Sequence, residues 1–410
     1  MAKITKQSEN FSKWYTDVIL DADLADYGPV KGTMVVKPYG FSLWTHIRDS
    51  LNEMIEESGH ENAYFPLFIP KSFLEKEAKH VEGFAKECAV VTHSKLISED
   101  GSLTVDPDSK LEEEIIVRPT SETIIWHMFK KWITSYRDLP LKVNQWANVV
   151  RWEMRTRLFL RTSEFLWQEG HTAHATKEEA MEETLQIVEI YRTLFEDYLA
   201  IPTIVGRKSN LERFAGADET FSIETMMRDK KALQAGTSHY LGTNFGNAFN
   251  VKFQSKDNKE HPVYATSWGV STRMVGALIM VHGDDKGLKI PPKIAPIQVV
   301  IIPINPKNEK SKEFSSFVTN LEEKLSNLNI RTHVDQLDES PGFKFNKWEL
   351  KGVPLRIEIG LKELENLEVT LCRSCLLYTS PSPRDVEESR MAASAWKKKG
   401  GGGGGGGGGG

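Results

Sequence analysis

Two long apolar runs separated by an arginine-rich loop are the feature that most constrains how this chain can fold. The runs VNQWANVVRWEM (143–154) and EFLWQEGH (164–171) have the length and aromatic content of extended strands. They follow each other with only a loop between them, which favours antiparallel pairing. Arg151 and Glu153 are two residues apart in the first run, so we expect both side chains on one face of a sheet.

Helical and extended patterns surround this pair. Apolar residues recur at steps of three and four between Phe41 and Ile55, which predicts an amphipathic helix that ends near Gly59. The run AYFPLFIP (63–70) predicts a strand interrupted by prolines, as at a sheet edge. Further strands and one long helix are predicted at IIVRP (115–119), VYATSWGVS (263–271) and 177–199. Long antiparallel strands with helices outside them indicate an α+β fold.

Composition limits the class of protein. The chain has 410 residues, enough for two or three domains, and its net charge of −5 does not indicate a basic nucleic-acid-binding protein, although a local basic face is compatible with it. No run of about 18 apolar residues is present, so we predict no membrane contact, and the first residues do not resemble a signal peptide. Three cysteines cannot form a disulfide framework, which favours a reducing compartment, by default the cytoplasm.

A smaller second domain is predicted beyond a proline-rich joint at 289–296. IQVVIIPI (297–304) is an almost continuous apolar run, as in a buried parallel strand. A helical pattern at 312–326 and the segments IRTHV and PLRIEIG continue an alternation of strands and helices. We therefore predict a first domain at 1–290 and a small α/β domain at 294–372.

The last segment, 375–410, is expected to add nothing to the fold. It lacks an apolar period and ends in a long run of glycines, so we interpret it as artefactual sequence or as a disordered linker. Cys372 and Cys375 are only half of a zinc knuckle, and no metal site is predicted there.

Three arginines stand in contexts that suit a planar, anionic ligand. Arg151 lies in a strand, Arg161 follows the loop, and Arg273 lies where SWGVST passes into an apolar helix. Guanidinium groups bind phosphates bidentately and stack on bases, and Phe165 offers an opposing aromatic face. No glycine-rich phosphate loop is present, so the arginines predict a nucleotide site built on a sheet. Each arginine alone is more typical of a solvated or ion-paired surface residue.

Other polar segments have ordinary structural interpretations when each is taken alone. RPTSET (118–123) suits a helix N-terminus, and LQAGTSHY (233–240) suits a polar loop between strands. His171 and His174 suit core positions better than metal ligands, because no third ligand has suitable spacing.

Together these segments resemble the three motifs of class II aminoacyl-tRNA synthetases. FPLFIP after a long amphipathic helix resembles motif 1, with Pro66 as its signature proline. Residues 149–171 resemble motif 2, and SWGVSTRMVGAL resembles motif 3. The strings WYTDVILDADLADYGPVKGTMVVKPYGF, VRPTSETIIW and FLRTSEFLWQEGHTAHAT are similar to prolyl-tRNA synthetases of the eukaryotic and archaeal type.

The resemblance implies a class II antiparallel-sheet catalytic core and a small α/β anticodon-binding domain. It implies activation of L-proline with ATP and transfer of the prolyl group to tRNA(Pro), with Mg²⁺ held largely by ATP oxygens and water. Motif 1 implies a homodimer through residues 41–70.

The resemblance also assigns the amino-acid-binding residues. Thr120 and Glu122 are expected to bind proline, and Glu122 to receive its ammonium group. His239 and the neighbouring Trp268 and Gly269 are expected to close the proline pocket.

At the ATP end, Arg151 and Arg273 are the expected catalytic residues. Arg151 should contact the α-phosphate and the prolyl carboxylate, while Arg273 and Phe165 should enclose the adenine. Gln234 and Thr237 should line the ATP and Mg²⁺ region. The other residues implied at ATP are Glu153, Arg161, Thr162 and Ser271, which stands where the family usually has threonine.

Departures from the family leave alternatives open. The zinc-bearing or zinc-like C-terminal module and the bacterial-type editing insertion do not occur in the sequence, so we expect a C-terminally truncated chain without structural zinc. One alternative is a non-catalytic tRNA-sensing or scaffold protein of this fold, which would normally lose the motif arginines present here. Another is a sister enzyme of the threonyl or glycyl type. The threonyl pocket needs a core cysteine as zinc ligand, and Cys88 lies outside the motifs.

Overall fold

The structure, a computed structural model, describes residues 4–78, 87–153, 155–304, 311–374 and 388–392. Its helices are α1 (Phe11–Asp21), α2 (Pro38–Glu57), α3 (Lys71–Ala78), α4 (Glu122–Trp132), α5 (Lys177–Thr193), α6 (Asn244–Ala248), α7 (Arg273–His282), α8 (Ser311–Ser326), α9 (Pro341–Leu350) and α10 (Leu361–Asn366). None of them is long and apolar enough to cross a membrane.

The strands alternate with these helices along the chain. Those of the first half are β1 (Ala25–Tyr27), β2 (Met34–Val36), β3 (Glu61–Asn62), β4 (Phe68–Pro70), β5 (Ala89–His93), β6 (Leu96–Glu99), β7 (Ser102–Val105), β8 (Lys110–Val117), β9 (Leu141–Val150) and β10 (Glu164–His174). Those of the second half are β11 (Ile204–Arg207), β12 (Glu219–Met226), β13 (Ala232–Gly242), β14 (Lys252–Gln254), β15 (Glu260–Pro262), β16 (Tyr264–Ser271), β17 (Val299–Pro303), β18 (Thr332–Val334), β19 (Leu355–Ile359), β20 (Glu368–Arg373) and β21 (Glu388–Ala392).

Contacts divide the chain into two units. The core unit is Ala25–Val281, and the terminal unit joins the residues up to Leu24 to those from His282 onward. This division differs from the predicted boundary at residue 290, because α1 packs with the residues of the terminal unit that follow Val281. The buried Trp14 donates its indole N–H to the Asp284 carbonyl at 2.8 Å, and the Gln7 amide donates to the Gly283 carbonyl at 2.9 Å.

The core unit is built on a large antiparallel sheet. Its strand order is β11-β12-β13-β16-β10-β9-β3, and only β3 joins in parallel. The predicted pairing of the two long runs is confirmed, because β9 and β10 are antiparallel neighbours from Leu141 to Val150. The predicted α+β class is also confirmed.

The first of these strands ends earlier than predicted. β9 stops at Val150, although the Arg151 amide still donates to the Ser163 carbonyl at 2.8 Å. The Glu153 amide then turns back to the Arg151 carbonyl at 2.7 Å, which takes the chain out of the sheet. The prediction of a strand through residue 154 was therefore wrong at its end.

Helix α2 confirms the predicted amphipathic helix with one exception. Its buried side chains include Leu43, Trp44, Ile47, Leu51 and Ile55, whereas Phe41 is 46% exposed. At about 100° per residue, Phe41 points roughly 100° away from the centre of that stripe. The proline-containing strand β4 forms an edge of the three-stranded sheet β4-β8-β5, as predicted.

The terminal unit contains a mixed sheet in the order β18-β17-β19-β20-β21. β17 is buried throughout and parallel to both β18 and β19, which confirms the predicted buried parallel strand. β21 lies within the predicted tail and pairs with β20. This pairing satisfies backbone groups of β20 that an edge strand would leave unpaired. The tail was predicted to add nothing to the fold, but these five residues form a strand. Cys375 and the remainder of that tail lie outside the described residues.

Candidate active site

One face of the core sheet gathers polar side chains in two rows. Strand register places Gln145, Glu169, Gly269 and Thr237 side by side on β9, β10, β16 and β13. Two positions along, the row contains His171, Ser267, His239 and Thr220. Because alternate residues of a strand face the same side, both rows line the same surface.

Two adjoining cavities lie over this face. The first has a volume of about 370 Å³ and the second about 310 Å³. They share Arg151, Phe165, Ser271 and Arg273. Other predicted site residues that line the first cavity are Thr120, Glu122, Gln234, Thr237, His239, Trp268 and Gly269. Those that line the second are Glu153, Arg161 and Thr162.

Trp268 borders the first cavity but directs its indole away from it. Its strand partner is Gly170, and a Cβ atom built on Gly170 would lie 2.1 Å from the Trp268 ring. Trp268 alternates with Ser267 and Gly269, which face the cavity. Only the backbone of Trp268 can therefore shape the pocket floor.

Two carboxylates, those of Glu122 and Glu169, line the first cavity. Thr120 donates its hydroxyl to the buried Glu122 at the start of α4. Glu169 accepts from the Gln145 amide at 2.8 Å and lies 3.3 Å from His171 Nε2. Burial raises the pKa of Glu169, but hydrogen bonds from His171, Ser121 and Gln145 outweigh it and hold the pKa below its usual value. The cavity lining therefore keeps negative charge away from water.

His171 is the counterpart of that charge. Burial lowers the pKa of His171, but its bond to Glu169 and the field of Glu122 raise the pKa above the usual value. His239 behaves oppositely, because burial and the nearby cations lower its pKa to about 3. The neutral His239 ring stacks on Phe214 with centroids 4.5 Å apart, and its Nδ1 lies 3.0 Å from the Thr220 hydroxyl.

Guanidinium groups mark the region where the two cavities meet. Arg151 donates from Nε to the Pro119 carbonyl at 2.9 Å, and its guanidinium lies 5.5 Å from the centre of the Phe165 ring. Arg273 donates to the carbonyls of Leu160 and Gln234 at 3.4 and 3.3 Å. Burial, together with repulsion from Arg151 and Arg161, lowers the pKa of Arg273. An arginine stays protonated nevertheless, so a bound anion would relieve this repulsion.

The second cavity contains an ion pair between two predicted ATP residues. Arg161 donates to Glu153 at 2.7 Å, and the Arg161 side chain is 60% exposed. Thr162 is buried and donates its hydroxyl to the Glu164 carbonyl at 2.7 Å. Arg155 and Arg157 of the same loop line neither cavity.

Sequence reasoning missed several residues that line the first cavity. Glu169 had no assigned role, and His171 was interpreted as a core residue. Strand alternation in EFLWQEGH could have identified both, because they share the face of Phe165. Further lining residues without an earlier assignment are Trp167, Lys208, Glu212, Phe214 and Ser267.

The described part of the chain offers no group of three or more histidine, cysteine, aspartate or glutamate side chains that could hold a metal ion. Gln234, the one predicted Mg²⁺ contact, already accepts a hydrogen bond from the Lys208 ammonium group. A Mg²⁺ contact at Gln234 therefore stays a prediction.

Comparison with known proteins agrees with this geometry. Residues 104–282 match the tRNA synthetase class II core domain (G, H, P, S and T), and residues 298–374 match the anticodon binding domain. The chain is 58% identical over 367 residues to Proline--tRNA ligase of Flavobacterium johnsoniae, covering 88% of this chain and 75% of that protein. It is also 58% identical over 373 residues to Proline--tRNA ligase of Bacteroides fragilis, covering 90% of this chain and 75% of that protein. For Proline--tRNA ligase of Porphyromonas gingivalis the identity is 57% over 376 residues, covering 91% and 76%.

The core-domain match covers both cavities and the core sheet except β3, and the anticodon-domain match covers the mixed sheet of the terminal unit except β21. The fold is accordingly that of a class II synthetase core with an anticodon-binding domain. The chain belongs to the proline--tRNA ligase family of class II aminoacyl-tRNA synthetases.

Proposed function

We propose that this chain activates L-proline with ATP to form prolyl-adenylate and then transfers the prolyl group to the 3′ end of tRNA(Pro). The observation that carries the proposal is the charge of the first cavity, whose lining combines the carboxylates of Glu122 and Glu169 with the guanidinium groups of Arg151 and Arg273. A zwitterionic amino acid fits these charges with its ammonium at the carboxylates and its carboxylate at the arginines. The family of the chain supports the identity of that amino acid as proline.

At the amino-acid end, Glu122 would receive the proline ammonium group, and Thr120 would orient Glu122 through the bond described above. His239 and the backbone at Trp268 and Gly269 would enclose the ring. A neutral His239 suits this role, because it adds an apolar surface without repelling the ammonium.

At the ATP end, Arg151 would bridge the α-phosphate and the prolyl carboxylate. The adenine would lie between Phe165 and Arg273, which both border the second cavity. The other residues that would contact ATP are Glu153, Arg161, Thr162, Gln234, Thr237 and Ser271. Arg161 would exchange its partner Glu153 for a phosphate when ATP binds.

The chemistry needs no nucleophile from the protein. The proline carboxylate attacks the α-phosphorus in line, and pyrophosphate leaves with the electron pair of the broken P–O bond. The 3′-terminal hydroxyl of tRNA then attacks the prolyl carbonyl, and AMP leaves. Arg151 and Arg273 stabilise charge that develops on phosphorus, while the cavity supplies proximity and orientation. Mg²⁺ would enter as part of the Mg·ATP substrate, with water and phosphate oxygens as its ligands.

Further proposals concern the whole protein. We propose a catalytic domain at 1–290, an anticodon-binding domain at 294–372 that contacts tRNA, and a homodimer formed through residues 41–70. The exposed Phe41 on α2 supports such an interface. The quoted strings support the eukaryotic and archaeal type, and the few cysteines support a cytoplasmic location.

The test is ATP–pyrophosphate exchange without tRNA, measured separately with each of the twenty amino acids. We expect exchange driven by proline, with weaker responses to alanine or cysteine. Exchange driven by threonine or glycine would indicate a sister specificity. Silence with all twenty, combined with ATP binding to the folded protein, would indicate a non-catalytic tRNA-sensing role.

A further inference from the structure

The reverse face of the core sheet holds a buried aromatic clamp behind the first cavity. Trp268 is 2% exposed, and its six-membered ring lies directly over Gly170 of the neighbouring strand. The ring also meets His60 in a perpendicular, edge-type contact, with centroids 5.0 Å apart and planes at 88°. Such a pair of rings prefers this perpendicular geometry. Trp268 is therefore in contact with both a glycine backbone and an imidazole.

A charged network fixes the position of His60. Its Nδ1 lies 2.8 Å from the Ser58 hydroxyl, and its Nε2 lies 2.8 Å from Glu183 of α5, although away from the ideal hydrogen-bond direction. Lys142 of β9 reaches the other oxygen of Glu183 at 2.6 Å. The hydrogen bonds and charges of His60 and Lys142 outweigh burial and hold the pKa of Glu183 below its usual value. His60 and Glu183 are both almost fully buried, so the imidazole has little freedom to move.

The clamp lies directly behind residues that line the first cavity. Gly170 stands between Glu169 and His171, and Trp268 stands between Ser267 and Gly269. Any displacement of the Trp268 ring relative to Gly170 would shift these neighbours on the opposite face, because β10 and β16 are paired residue by residue here. None of the clamp side chains on α2–β3 or α5 lines the cavity itself.

We propose that His60, oriented by Glu183, is a positioning residue for the amino-acid end of the site. By holding Trp268 against Gly170, His60 sets the spacing of β10 and β16 and with it the width of the pocket that takes a small amino acid. The inference rests on the proposed function for its kinetic readout. It goes beyond the residues expected to touch substrate, since His60 contacts none.

Two substitutions separate the ring contact from the polar network. His60→Phe keeps an aromatic ring against Trp268 but loses the polar contact with Glu183, which still pairs with Lys142. His60→Gln keeps a polar group near Glu183 but removes the ring. Val251→Ala is the control, because Val251 is fully buried in an apolar cluster that includes Trp126 and Phe245 but neither Trp268 nor His60.

The first measurement is ATP–pyrophosphate exchange with proline and ATP varied in turn. We expect His60→Gln to raise the KM for proline about three- to tenfold, the range that an aromatic pair contributes, and to leave the KM for ATP within about twofold. His60→Phe should restore most of the proline KM, and Val251→Ala should leave it unchanged. An equal rise in both KM values, or equal effects of the Phe and Gln variants, would overturn the proposal.

The second measurement does not depend on activity. Amide hydrogen exchange should become faster in peptides covering 167–172 and 265–270 in His60→Gln, and stay at the wild-type rate in His60→Phe and Val251→Ala. If the wild-type protein shows no proline-driven ATP–pyrophosphate exchange, the proposed function fails. Amide hydrogen exchange then tests by itself whether His60 holds the two strands in place. Unchanged protection of both peptides in His60→Gln would refute it.

Discussion

Replacing Gly170 with alanine places one methyl group where the structure has no room for it. The new Cβ would lie 2.1 Å from two carbons of the Trp268 ring and 2.3 Å from a third. Non-bonded carbons sit at about 3.5 Å or more, so the ring or the strand must move by roughly 1.4 Å. Trp268 is 2% exposed and packs against both Gly170 and His60, so the ring cannot move toward solvent without breaking buried contacts. Overpacking of this kind costs about 1–3 kcal/mol, and rigid backbone on one side favours the upper end.

The assay is thermal unfolding followed by circular dichroism. In a unit of this size about 3 kcal/mol corresponds to a fall in Tm of roughly 6–12 °C. Gly206→Ala is the matched control, because Gly206 lies in β11 of the same sheet and a Cβ there meets nothing within 4 Å. The control should unfold at or slightly above the wild-type temperature, since alanine reduces the entropy of the unfolded chain.

A double variant tests the stated cause. Trp268→Leu removes the ring atoms that the new Cβ would touch, so Gly170→Ala should cost much less in that background. A Tm for Gly170→Ala equal to that of wild type, or a cost that is the same with and without Trp268, would refute the packing argument.

Four further predictions concern charge, substrate and assembly. Arg151→Ala should lower proline-dependent exchange by about 10²–10³, and near-normal exchange would exclude its phosphate role. Glu122→Gln should raise the KM for proline far more than the KM for ATP; equal changes would argue against an ammonium contact. Burial lowers the pKa of His174 to about 4, so the unfolded state binds more protons between about pH 6.5 and 4. Stability should therefore fall as the pH drops through that window, and less so in His174→Gln, as measured by urea unfolding at several pH values. Phe41→Asp should convert a dimer to a monomer in light scattering, and a monomeric wild type would contradict the motif 1 interface.

The parts of the fold that sequence could predict are those governed by short-range patterns. β9 and β10 follow from their aromatic runs, and α2 from its three- and four-residue steps. The end of β9 at Val150 could not be predicted in this way, because it depends on a turn in which the Glu153 amide bonds to the Arg151 carbonyl. The packing of α1 in the terminal unit likewise involves contacts far apart in sequence, such as the hydrogen bond from the Trp14 indole to Asp284.

The same distinction between local patterns and long-range contacts applies to the candidate site. Residues that carry a recognisable motif, such as Arg151 and Arg273, could be predicted to lie in one site, and both line the two cavities. The residues packed behind the site could not be predicted, because His60 and Glu183 are 123 positions apart in the chain and meet only in the folded protein. A histidine before strand β3 has no distinctive pattern, and Glu183, an acidic residue on the buried face of α5, gives no sign of its partner in the sequence.

The two faces of the sheet explain why a site without a protein nucleophile can still position its reactants. On the cavity face, the lining combines buried carboxylates with guanidinium groups, and in the proposed function a zwitterion binds there with its carboxylate toward the arginines. That orientation is useful only if the spacing between the two sets of charges is fixed, because loss of about 1 Å in alignment can cost 10²-fold in rate. The strands that carry Glu169 and Gly269 are bonded to each other, but backbone pairing alone leaves their side chains free to adjust. The Trp268 ring packs against Gly170 and His60 on the reverse face and so restricts this adjustment of the two strands. Electrostatic orientation on one face thus depends on packing on the other.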